Sequence, residues 1–199
     1  MKNLVTVALI LLTISISLSA QLKPGDDAVD FSLKNVDGKM VSLSDYKDVK
    51  GVVLVFTCNP CPFAKAYEQR IIKLHKNFAS GGYPVVAINP NDETLSPDDT
   101  FENMKSRAAE KEYPFPYLKG DGEVYKAYGA TRTPHVFVLE NTGEGKFKVV
   151  YIGAIDNNAM DEKAVSEQYV QQAIVAIENG VKPAKDQVKA IGCTIKRKV

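Results

Sequence analysis

Two cysteines separated by two residues, in Thr57-Cys58-Asn59-Pro60-Cys61-Pro62, are the side chains of this sequence best suited to chemistry. A thiolate attacks a disulfide through a mixed intermediate, and a second thiol within reach resolves it. At the start of a helix the first sulfur lies near unpaired backbone N–H groups, whose partial positive charge favours its thiolate. Cys58 is then the attacking thiol. Cys61, three positions on, falls on the same helical face and is the resolving thiol. Half of a zinc site has the same spacing, but it needs two further ligands, and the chain has no second Cys-x-x-Cys and no His pair. A structural disulfide is the remaining use; redox exchange is the reading preferred here.

The pattern around the cysteines supplies the strand and helix that this chemistry needs. Val52-Val53-Leu54-Val55-Phe56 is a continuous β-branched and aromatic run, expected of a strand buried on both faces. After the cysteines, Tyr67, Ile71, Leu74 and Phe78 recur at helical spacing, and Pro62 suits the first turn. Gly81-Gly82 ends that helix and Val85-Val86-Ala87-Ile88 follows as a second strand, predicting a βαβ unit with a parallel pair. Phe31-Leu33 and Met40-Leu43, around the turn Asp37-Gly38, predict an N-terminal hairpin. Beyond the second strand come a helix from Pro97 to about Glu112, a Pro-broken extended stretch from Tyr113 to Leu118, and a short helix around Glu123-Tyr128 that stops at Gly129. Val136-Leu139 and Lys148-Ile152 read as an antiparallel hairpin, and Ala164 to Asn179 as the last amphipathic helix.

Residues 1–20 carry Lys2, an uncharged run from Leu4 to Leu18, and the small residues Ser19-Ala20, the pattern of a secretory signal peptide; 21–199 is then the mature domain. The run is interrupted by Thr13, Ser15 and Ser17 and is short for a spanning helix. Removing Lys2 takes the 25 basic residues to 24, against 24 acidic ones. That balance gives no electrostatic basis for holding nucleic acid. All three cysteines stay in the mature chain, in an exported compartment, periplasmic or extracellular, where disulfides persist.

The run Phe56-Thr57-Cys58-Asn59-Pro60-Cys61-Pro62, with Thr133-Pro134 ahead of a later strand, resembles the thioredoxin superfamily. The lead-in Pro24-Gly25-Asp26-Asp27-Ala28-Val29-Asp30-Phe31, with Leu43-Ser44-Asp45-Tyr46, is similar to its AhpC/TSA and TlpA/ResA branch. Ala87-Ile88-Asn89-Pro90-Asn91-Asp92, Ala127-Tyr128-Gly129-Ala130 and Ile191-Gly192-Cys193-Thr194 look most like peroxiredoxin-like proteins that carry a Cys-x-x-Cys. The resemblance implies an α/β thioredoxin-like fold: a central mixed β-sheet flanked by helices, with an N-terminal β-hairpin and an insertion after the second parallel strand. It also implies a cis Pro134 lying against the redox pair, with Thr133 and Pro134 contacting substrate. Protein or small-molecule thiols and disulfides are the implied partners, fed by a membrane-linked electron donor, with no bound cofactor and no metal.

Departures from those families bear on function. Thr57 stands where thioredoxin and its TlpA-like relatives usually have Trp, and the chain has no Trp. Peroxiredoxins place Pro seven and Thr three residues before the peroxide-attacking cysteine; here those positions hold Leu54 and Cys58, or Gly51 and Val55, depending on which cysteine is aligned. Arg132 lies near the place of an activating Arg, but its neighbours fit the thioredoxin pattern. Dithiol exchange is therefore preferred to peroxide reduction. A third reading makes Cys58, Cys61 and His135 a copper or zinc site, against a strand histidine that points away from the sulfurs. His75 reads as surface, Cys193 as a buried small hydrophobe in a docked tail, Tyr113-Pro114-Phe115-Pro116-Tyr117 as aromatic packing or a groove wall, and Lys196-Arg197-Lys198 as a solvated end.

Overall fold

The computed structural model describes residues 21–198; the expected signal peptide, residues 1–20, lies outside them. Nine strands and four α-helices follow in the order β1 (Ser32–Asn35), β2 (Met40–Ser42), β3 (Gly51–Phe56), α1 (Pro62–Phe78), β4 (Val85–Asn89), α2 (Phe101–Glu110), β5 (Tyr117–Lys119), α3 (Val124–Tyr128), β6 (Arg132–Thr133), β7 (His135–Gly143), β8 (Lys146–Gly153), α4 (Tyr169–Glu178) and β9 (Cys193–Thr194). Seven strands form one mixed sheet in the order β2-β1-β5-β4-β3-β7-β8, and β6 pairs separately with β9. β3 and β4 are parallel, with Val53 opposite Val85 and Phe56 opposite Ile88, as the βαβ reading requires. β3 runs antiparallel to β7 on its other side, and so is covered along both edges.

Alternation along β3 divides the core. Val53 and Val55 face a cluster built with Tyr67 and Ile71 of α1 and Val170 and Ile174 of α4. Val52, Leu54 and Phe56 face the opposite side, against Phe31, Leu33, Tyr125 and Tyr128. The uniform apolarity of β3 thus reflects burial on two faces.

Three expectations shift. The helix expected from Pro97 begins instead at Phe101: Pro97–Asp99 is a 3₁₀ turn, and Thr100 at ψ 154° breaks the run before its hydroxyl accepts the Asn103 N–H. The turn exists because the Asp99 side chain is drawn into the interior, where it is fully buried. Tyr117–Lys119 becomes a third parallel strand, pairing Tyr117 with Ala87, after Pro114 and Pro116. The last helix starts at Tyr169, not Ala164, because Val165 is extended and the Asn157 side chain accepts the N–H groups of Ser166 and Glu167.

Candidate active site

β3 ends at Phe56, and the Thr57 N–H still bonds the Ile88 carbonyl at 2.9 Å, so the chain leaves the sheet in a fixed direction. Cys58, Asn59 and Pro60 then form the loop that turns into α1. Cys61 caps that helix with extended backbone, and Pro62 takes the first helical position, as expected. Cys58 is 5% and Cys61 4% exposed.

Thr133 stands between the two sulfurs. Its Oγ1 is 3.1 Å from Cys58 Sγ, and its carbonyl oxygen is 3.3 Å from Cys61 Sγ. The Thr133-Pro134 bond is cis. The hydroxyl and carbonyl of Thr133, a residue that the resemblance implies contacts substrate, therefore lie against the sulfurs.

The state of the three cysteines differs from expectation. Cys61 is bonded to Cys193, and Cys58 is a free, buried thiol. Cys193 is only half-buried and is not the isolated small hydrophobe expected of it. What brings it there is backbone: β9 runs antiparallel to β6 with Cys193 opposite Thr133. Gly192 allows the approach, since a Cβ at that position would collide with the Thr133 carbonyl. Ile195 anchors the tail in the core, and the Arg132 guanidinium donates to Thr194 Oγ1 at 2.8 Å. Arg132 is thus engaged with the tail.

A polar network beside Cys58 gave little sign of itself in the sequence. Asp99 Oδ1 accepts from the Asn59 N–H and Asn89 Nδ2, each at 2.8 Å. Asp99 Oδ2 accepts from Asn91 Nδ2 at 2.7 Å and Ser96 Oγ at 2.6 Å. Tyr117 donates to Asn59 Oδ1 at 2.9 Å, and Asn59 Nδ2 donates to the Asp98 carbonyl at 2.8 Å. The loop carrying Cys58 is held by a buried carboxylate with all its hydrogen bonds made, the condition under which such a charge is tolerated. The signal available was Asn89-Pro90-Asn91 at the carboxyl end of an apolar strand, followed by Ser96-Pro97-Asp98-Asp99.

The electrostatics run against the helix-start expectation. Burial pushes the Cys58 thiol up, and the Asp99 charge adds to this, while the Thr133 hydroxyl, the Cys61 N–H and the Asn91 side chain pull the other way without prevailing. In this disulfide state Cys58 is a protected thiol.

His135 lies on the Phe56 and Phe137 side of the sheet, the face opposite α1. Its ring is 5.0 Å from that of Phe137, and its Nδ1 accepts the Thr131 N–H at 3.3 Å. Burial lowers its pKa to about 4. Among the described residues no group of three His, Cys, Asp or Glu side chains is arranged to hold a metal, so the donors of the copper or zinc reading are not brought together. His75 is half-buried, contrary to expectation, because its Nδ1 accepts the Val85 N–H at 3.2 Å and its ring packs on Phe115. Tyr113 stacks on Phe115 at 4.9 Å, so the Pro-punctuated stretch is aromatic packing.

Residues 24–147 match the AhpC/TSA family. The thiol-disulfide oxidoreductase ResA of Bacillus subtilis is 30% identical over 145 residues, which are 71% of this chain and 74% of that relative. The crystal structure of an uncharacterized conserved protein from Geobacillus kaustophilus superposes with a TM-score of 0.81 at 37% identity, covering 88% of this chain and 92% of that one. The thioredoxin domain of a thiol-disulfide oxidoreductase from Bacteroides vulgatus shares the fold alone, with a TM-score of 0.54 at 20% identity over 65% of this chain and 88% of that one. With a mixed sheet of thioredoxin type, a Cys-x-x-Cys where β3 gives way to α1, and a family match spanning most of its length, the chain belongs to the AhpC/TSA family, in its ResA-like branch of the thioredoxin superfamily.

Proposed function

We propose that the protein is an exported thiol-disulfide oxidoreductase that works by dithiol exchange at Cys58 and Cys61. The observation that carries this reading is Thr133, whose hydroxyl and carbonyl oxygens lie 3.1 and 3.3 Å from the two sulfurs. In the reduced protein the Cys58 thiolate attacks one sulfur of a substrate disulfide, a mixed disulfide forms, and the first substrate thiolate leaves and takes a proton. Cys61 then attacks Cys58 Sγ, releasing the second substrate thiol and leaving a Cys58–Cys61 disulfide. Thr133 and Pro134 contact the substrate. Residues 1–20 act as the signal peptide, 21–199 as the working domain, and a membrane-linked donor returns the electrons. The test is turnover of a model protein disulfide: Cys58→Ser abolishes it, and retained turnover would refute the assignment.

A thiol peroxidase is the second reading, favoured by the Cys61–Cys193 link. Peroxide would oxidise Cys61 to a sulfenic acid with release of water or alcohol, and Cys193 would condense with it, expelling a second water. Leu54 and Cys58, in place of the Pro and Thr of peroxiredoxins, argue against it. Stopped-flow reaction of reduced protein with peroxide and with a protein disulfide separates the two, the faster partner identifying the activity.

A further inference from the structure

We propose that Cys193 is a third redox-active cysteine, which exchanges with Cys58 for the sulfur of Cys61 and carries the oxidised state of the protein on its docked tail. This rests on the exchange reading of Cys58 and Cys61 and extends it.

Three features of the tail converge. Cys61 serves two partners, since it neighbours Cys58 through the Cys58-Asn59-Pro60-Cys61 loop and is bonded to Cys193 across the β6–β9 pair. The attachment that delivers Cys193 is small. It includes a two-residue strand, the buried side chain of Ile195, the Arg132 guanidinium donating to Thr194 Oγ1, the Lys196 N–H donating to Asn91 Oδ1 at 2.8 Å and the Lys196 carbonyl accepting the Asp92 N–H at 2.9 Å. Asn91 is also one of the groups facing the Cys58 thiol and donates to Asp99, so the tail is fastened to the network that surrounds Cys58. Cys193 is moreover the least buried of the three cysteines.

The exchange balances without an added oxidant. The Cys193 thiolate attacks Cys61 Sγ of a Cys58–Cys61 disulfide; the new Cys61–Cys193 bond forms, the old bond breaks, and its electron pair leaves on Cys58 sulfur, which takes up the proton that Cys193 gave up. One disulfide replaces another. Cys58, buried and protonated, is then a slow attacker of the new bond. Reduction proceeds from the less buried end: an external thiol attacks Cys193, Cys61 leaves as thiolate and is protonated, and a second external thiol frees Cys193 while the pair departs as a disulfide. While docked, β9 occupies the backbone edge of Thr133.

The test follows the fully reduced full-length protein through one turnover with an aromatic disulfide whose released thiol absorbs visible light. Samples are acid-quenched, maleimide-labelled and peptide-mapped without reduction. Thiol release reads the exchange activity itself, and the position of the protein disulfide reads the role of Cys193. Oxidised protein is expected to carry Cys61–Cys193 and about one maleimide per chain at Cys58. Cys193→Ser is expected to end as Cys58–Cys61, with loss of the Cys58 label. Normal thiol release ending in Cys58–Cys61 with Cys193 labelled would overturn the proposal and leave the exchange reading standing. So would a Cys61–Cys193 link already present in the starting protein that survives excess dithiol and persists unchanged through turnover. Absence of thiol release would remove the exchange reading and the relay with it. The wild-type map alone decides the matter if the variant does not fold.

Discussion

Thr133 pairs backbone to backbone with Cys193 while its own hydroxyl oxygen lies 3.1 Å from the sulfur of Cys58. One residue therefore touches the free thiol and seats the tail whose cysteine is bonded to Cys61. The close approach depends on Gly192, where a Cβ would meet the Thr133 carbonyl and the Pro134 nitrogen. Gly192→Ala is expected to lift β9 from β6 and to lower the ratio of chains with a Cys61–Cys193 bond to chains without it by about tenfold, the consequence of an interface weakened by roughly 1.4 kcal/mol. Non-reducing peptide mapping after mild oxidation measures it, and an unchanged fraction would show that the tail docks without this contact.

Asp99 raises the Cys58 thiol and also holds the Cys58 loop in place. Asp99→Asn removes the charge, so the pH at which Cys58 begins to react with iodoacetamide is expected to fall. The same change points an amide N–H₂ at donors that now face a carboxylate oxygen, at a stability cost of about 3 kcal/mol. Thr133→Val, which deletes the hydroxyl that favours the thiolate, is expected to move the alkylation profile upward instead. The opposite signs make the pair of variants a test of direction: if both shift the same way, the proposed balance around Cys58 is wrong.

What the sequence made legible follows the range of the interactions involved. β3, α1 and β4 were readable because continuous apolar runs and helical spacing record burial locally, and Pro62 marked the turn into α1. The Cys-x-x-Cys was readable by spacing, but the partner of Cys61 was not, because β9 is two residues long and exists only where β6 receives it. Arg70 and Asp156 were missed for a related reason. On α1 an arginine among lysines and a glutamate reads as solvent-facing, whereas this one is buried against a carboxylate far along the chain. Asp99 likewise looks like an ordinary acidic first turn until the asparagines from β4 and its neighbouring loop converge on it.

The Arg70–Asp156 pair is buried at 2.6 Å, with Tyr67 also donating to Asp156 Oδ1 at 2.9 Å and the Arg70 guanidinium donating to the Asn158 carbonyl at 2.7 Å. It fastens the loop after β8 to α1. Removing one partner leaves the other charge without compensation in a dry site, which costs about 3–5 kcal/mol. Asp156→Ala is therefore expected to lower the denaturant midpoint well beyond the effect of a surface carboxylate such as Glu144→Ala, whose ion pair is exposed. Equal midpoints for the two variants would contradict this account.

His135 sets a pH dependence whose sign can be worked out. Burial depresses its pKa to about 4 in the folded chain, from 6.5 for an exposed imidazole. The folded state therefore holds the neutral ring, and the unfolded state binds the extra proton between those two values. The stability that neutrality contributes is complete above pH 6.5 and is lost as pH falls toward 4, a change of about 3 kcal/mol. His75, whose pKa burial also lowers, adds in the same direction, so the wild-type profile alone does not isolate His135. His135→Asn keeps an oxygen to accept the Thr131 N–H and removes the titration. Chemical denaturation across this range is expected to give a shallower slope for the variant than for the wild type, and parallel slopes would show that His135 takes up its proton in the folded chain as readily as in the unfolded one.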